Sequence, residues 1–74
     1  MRQAEYVAIF SEAEDGWTAT VPDLPGCVSC GDTYEDAKSK IQDAINGMIE
    51  CMIEEGVTPP KPNHFASMIV ARTA

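Results

Sequence analysis

The chain has 74 residues, 12 of them Asp or Glu against 5 Lys or Arg, for a net charge of -7. One domain spanning 1–74 is expected; at this size folding buries only about 60% of the unfolded surface, so a partner or self-association is expected to help. The acidic balance argues against a nucleic-acid-binding surface, which needs clustered Lys and Arg, and fits a basic protein partner better.

The apolar run Tyr6–Phe10 is too short for a signal-peptide core or a membrane span, which places the protein in the cytoplasm. With no secretory signal, the three cysteines, Cys27, Cys30 and Cys51, read as reduced thiols. Residues 5–11, nearly continuously apolar, predict a central strand covered on both faces. The charged connection Glu12-Ala13-Glu14-Asp15-Gly16 leads into a second strand over residues 17–21, where apolar and polar residues alternate with period two. Pro22, lacking an N–H for the ladder, closes it. Leu24-Pro25-Gly26-Cys27 predicts a type II turn, with Pro25 setting φ at the second position and Gly26 supplying positive φ at the third. A short third strand, residues 27–30, follows.

Thr33 predicts a helix N-cap, with Asp36 three residues on as its capping acid. At about 100° per residue, Tyr34, Ala37, Ala44, Ile45, Met48 and Met52 form one apolar stripe around Ile41. Ile49 at its edge and Ile53 beyond it widen the stripe past what one core needs, making them candidate contacts in a homo-oligomer. Gly47 lies on the flank, where a close backbone approach would account for it, and Gly56 predicts the helix end. The proline-rich residues 57–63 predict an extended connector. Residues 65–71 predict a fourth strand, parallel to a neighbour because the crossover is long.

Cys27-Val28-Ser29-Cys30 has the spacing of a zinc or redox pair. On a strand, however, two residues three apart are separated by about 10 Å, beyond the roughly 7 Å that a disulfide spans, and point to opposite faces. A zinc site would need Cys51 and His64 as well, one on a helix flank and one in a loop, so the thiols read as small hydrophobes. His64 has no nucleophile or carboxylate at a recognisable spacing, and neither a serine elbow nor a phosphate-cradling glycine pattern occurs. No catalytic, cofactor-binding or metal residue is therefore assigned. The hairpin acids Glu12, Glu14 and Asp15, with Asp23 and Leu24 in the turn, are the expected partner contacts, and Asp43, Glu50 and Glu54 would add to an electrostatic guide for a basic protein.

The ordered set of apolar strand, acidic hairpin, "GWTATVPDLPGC", the helix opening "GDTYEDA" and a closing short strand resembles the HicB family of antitoxins. The motifs cover about residues 5–56, and the remainder agrees in pattern. The resemblance implies an α+β fold, a small β-β-β-α-β domain, partial RNase H-like, with one helix packed on a four-stranded mixed sheet. It implies a non-catalytic module that binds and neutralises a HicA-type toxin, a small basic RNA-cleaving protein, by hiding its catalytic face; the alternative is a stand-alone oligomeric domain with no toxin partner. Family members often carry a helix-turn-helix or ribbon-helix-helix segment after this domain. With the chain ending at Ala74 and no basic tail, neither a C-terminal DNA-binding domain nor direct nucleic-acid binding is expected. Nuclease chemistry of the RNase H kind needs clustered carboxylates for two Mg²⁺ ions, whereas the first strand offers only Glu5.

Overall fold

A computed structural model describes residues 4–73; Met1, Arg2, Gln3 and Ala74, part of the expected 1–74 domain, lie outside the described residues. Strands β1 (Ile9–Ala13), β2 (Gly16–Thr20) and β3 (Val28–Gly31) precede one helix, α1 (Tyr34–Glu54). The three strands form an antiparallel sheet in the order β1-β2-β3. The fold is therefore α+β, and β2 rather than β1 is central. The expected fourth strand is not formed, since residues 57–73 contain neither helix nor strand. The mixed four-stranded sheet is accordingly replaced by a three-stranded antiparallel one.

Side chains alternate across the sheet, so the register Phe10↔Ala19↔Ser29 and Glu12↔Trp17↔Gly31 defines the helix-facing side. The helix lies over β3 and β2. The other side carries Ile9, Ser11, Ala13, Thr18, Thr20, Val28 and Cys30, with no charged residue among them.

The corner between β2 and β3 is built from nested turns. The Leu24 N–H donates to the Val21 carbonyl at 3.1 Å, the Cys27 N–H to the Leu24 carbonyl at 3.0 Å, and the Val21 N–H to the Cys27 carbonyl at 3.2 Å. Gly26 has φ of 88°, the positive value that the third position of a type II turn requires. The corner turns Leu24 inward until it is fully buried. Val21, Leu24 and Cys27 join Ala19 and Ile41 in the core, with Tyr6, Ala8, Phe10 and the helix stripe packed around them.

Thr33 caps the helix as expected, its Oγ1 accepting the Asp36 N–H at 3.0 Å. The Asp36 carboxylate turns back to accept the Asp32 N–H at 3.1 Å and lies 3.3 Å from Lys40 Nζ. The Asp32 bond, then Lys40, hold its carboxyl below the usual range. At the far end the Gly56 N–H reaches the Ile53 carbonyl and the Val57 N–H the Met52 carbonyl, the paired bonds of a Schellman motif, with Gly56 at φ of 76°.

Two glycines have steric roles that spacing alone does not reveal. A Cβ on Gly31 would lie 2.5 Å from the Ala37 amide nitrogen and 2.9 Å from the Asp36 carbonyl carbon, so the first helical turn sits directly on this backbone. A Cβ on Gly16 would lie 2.5 Å from the Gly31 carbonyl oxygen. Gly47, by contrast, faces open space, so close backbone approach does not explain it.

Leu24→Ala is expected to cost about 2–5 kcal/mol by leaving a cavity at the corner, read as a lowered urea midpoint. Gly31→Ala should cost about 1–3 kcal/mol in the same measurement, because the helix start must shift to admit a methyl group. In Gly47→Ala no such loss is expected.

Candidate protein-docking surface

The exposed acids of the hairpin, Glu12, Glu14 and Asp15, are set at one end of the molecule. The Gly16–Gly31 approach carries them beside Asp32. At the same end Tyr34 stacks against Phe10 at 4.7 Å and edge-on to Trp17 at 5.6 Å, which fixes the helix start and with it Glu35. Here Asp15, Trp17, Asp32 and Lys40 border an open cleft of about 300 Å³. Among the described residues, no group of three or more His, Cys, Asp or Glu side chains is disposed to hold a metal ion.

A second acidic group lies at the opposite end of the helix. Glu50 and Glu54 there, with Asp43 at mid-helix, are exposed on the side away from Ile41, and Glu55 caps the helix, whose last turn has no basic residue. Acids at a helix C-terminus oppose the macrodipole, so the fold gains nothing from Glu54 and Glu55 at that place. The acidic guide is thus split between two ends, about 31 Å apart along a helix of 21 residues.

The expectation that Asp23 and Leu24 are exposed for a partner is corrected. Leu24 is a core residue, drawn in by the corner. The Asp23 side chain is 5% exposed and already engaged. One of its oxygens accepts the backbone N–H groups of Asn63 and His64 at 3.1 and 3.3 Å, and the other lies 2.6 Å from His64 Nδ1. This clamp joins positions 41 residues apart, beyond the reach of any local spacing argument. Tyr6 adds a second tie, its hydroxyl donating to the Pro60 carbonyl at 2.6 Å. Desolvation pushes the Asp23 carboxyl up, but the hydrogen bonds from His64 and Asn63 and the charge of His64 outweigh it and leave it below its ordinary value. The hold on the connector is therefore complete above the ordinary carboxylate range and is lost as pH falls through that lowered value.

Ile53 is 63% exposed and Ile49 half-buried, so the apolar surplus expected on the helix is present. All three cysteines are free; Cys27 is buried, which raises its thiol pKa by desolvation, while Cys30 and Cys51 are exposed.

In a carboxyl NMR titration, Asp23 is expected to titrate below the ordinary aspartate range, and His64→Ala should move its midpoint upward. An unmoved midpoint would show that the clamp is not formed in solution.

Comparison with known proteins places these features in a family. Residues 6–73 match the family described as HicB_like antitoxin of bacterial toxin-antitoxin system. An uncharacterized 14.9 kDa protein of Haemophilus phage HP1 is 40% identical over 86% of this chain and 48% of its own length. A UPF0150 protein of Synechocystis sp. is 42% identical over 74% of this chain and 70% of its own. Antitoxin HicB 2 of Photorhabdus laumondii is 31% identical over 84% of this chain and 45% of its own. The chain thus spans about half the length of the phage protein and of the Photorhabdus antitoxin. With its corner, its capped helix and its acidic hairpin inside the matched span, the chain belongs to the HicB-like antitoxin family.

Proposed function

We propose that this protein is a non-catalytic cytoplasmic antitoxin that binds a HicA-type RNA-cleaving toxin through its acidic hairpin end. The observation that carries this reading is an exposed acidic group, Glu12, Glu14 and Asp15, held on the β1–β2 turn in a chain of net charge -7 within an antitoxin family. A basic ribonuclease meets its RNA with a positive surface, and an acidic module that covers this surface competes with the phosphates by the same long-range attraction. Glu54 and Glu55 extend the negative field at the other end. Leu24 acts indirectly, by holding the corner, and Asp23 through the connector. Self-association accompanies toxin binding, by a sheet edge or by Ile49 and Ile53. No helix among the described residues is long and apolar enough to cross a membrane.

Reversing the hairpin charges, with Glu12, Glu14 and Asp15 each changed to Lys, should slow association with the basic protein of a neighbouring reading frame at least tenfold at low salt. The difference should shrink as ionic strength rises. Stopped-flow fluorescence of Trp17 measures both. Equal rates for the two proteins would overturn the docking assignment, and no binding by the unaltered protein would favour a stand-alone oligomeric domain.

A further inference from the structure

The strongest feature left unexplained is the segment after the Asp23 clamp. Phe65, Met68, Ile69 and Val70 are 88, 99, 82 and 99% exposed on an extended chain. A soluble acidic domain gains nothing from holding such a stretch in water. The chain exposes 6154 Å², about 1,700 Å² more than the roughly 4,400 Å² expected of a compact monomer of 8.0 kDa. Its radius of gyration, 14.3 Å, likewise exceeds the roughly 11 Å of a compact chain this long. A standard interface takes about 800 Å² from each partner, so the excess is ample for a stable dimer.

The same structure has an open strand edge with a groove beside it. β1 is an edge strand without Pro, Lys or a bulge, the usual protections of an edge. Its lead-in, Tyr6 to Ala8, continues extended and apolar. The helix is about 31 Å long and the strands about 17 Å, so its second half overhangs the sheet. Under that overhang Tyr6, Ile45, Ile49, Ile53 and Pro59 border a groove of about 630 Å³, with Glu5, Gln42 and Asn46 at its polar margin. A strand laid along β1 and its lead-in would reach this groove, and either alternation of residues 65–70 offers a large apolar pair, Phe65 with Ile69 or Met68 with Val70. The clamp starts this segment at the β2–β3 corner rather than at the chain's own β1 edge.

We infer that two copies exchange these segments: Phe65–Val70 of each protomer adds a strand to the free β1 edge of the other and covers its Ile45, Ile49 and Ile53 flank. The exchange is reciprocal, so one two-fold contact closes the assembly. It makes β1 an inner strand, and completes in trans the four-stranded layer that the single chain lacks. The exchange presupposes the self-association proposed above and is independent of any toxin.

The test is multi-angle light scattering on the full chain and on Met68→Pro/Ile69→Pro, which removes two adjacent N–H groups and so blocks pairing on either side. The unaltered protein should have at least twice the mass of the 8.0 kDa chain. The variant should fall to a monomer with its helical circular dichroism intact, and hydrogen exchange should show the remaining amides 66, 67 and 70 losing protection together with amides 7–11. A variant that stays dimeric overturns strand exchange while leaving self-association through Ile49 and Ile53 standing. A monomeric unaltered protein overturns both, and protected amides 66–70 in that monomer would show the strand closing on its own chain.

Discussion

The fold depends on one constraint, the turning inward of Leu24 by the corner from Val21 to Cys27. A sheet this small has few side chains to bury. Among the described residues the corner supplies three of the six buried apolar side chains, Val21, Leu24 and Cys27, against Ala19, Ala37 and Ile41. Because the hydrogen bonds that close it are all backbone, Pro25 and Gly26 are chosen for dihedral angles and Leu24 for volume. The corner also positions β3, and Gly31 at the end of β3 seats the helix. The thiols at 27 and 30 are thus parted by architecture, one in the core and one on the open side of the sheet.

Local chemistry made much of this legible. Thr33, the Pro25-Gly26 pair and Gly56 act through backbone geometry within a few residues, and each does in the structure what its residue type predicts. The stripe around Ile41 faces the core for the same reason. What could not be read depends on distance. Asp23 and His64 meet across 41 positions, and neither has a neighbour that signals the other. Leu24 in a turn reads as exposed because turns usually are; only the packing shows it pointing inward. The fourth strand was read from apolar, β-branched residues, and those residues are present and extended, but pairing needs an edge that the single chain does not bring to them.

Stability and recognition make opposite demands on the acids. Asp36 is used twice over, on the Asp32 amide and on Lys40, and Asp23 fastens the connector. Both serve the fold. The carboxylates of Glu12, Glu14, Asp15, Glu54 and Glu55 form no hydrogen bond or ion pair among the described residues, and at the helix C-terminus the charge is unfavourable. Charge that the fold leaves unused is the support for the docking surface proposed for these acids.

The charge-free side of the sheet has a colloidal consequence. Ile9, Ala13, Val28 and the small polar residues between them form an uncharged plate on which a like face could pack, with only Ser, Thr and Cys to interrupt its contact. Repulsion between molecules comes from carboxylates elsewhere on the surface. Near the isoelectric point of about 4.3 that repulsion vanishes, while the plate, having nothing to titrate in that range, stays equally adhesive; acidification thus brings the protein out of solution by removing a barrier rather than by unfolding it.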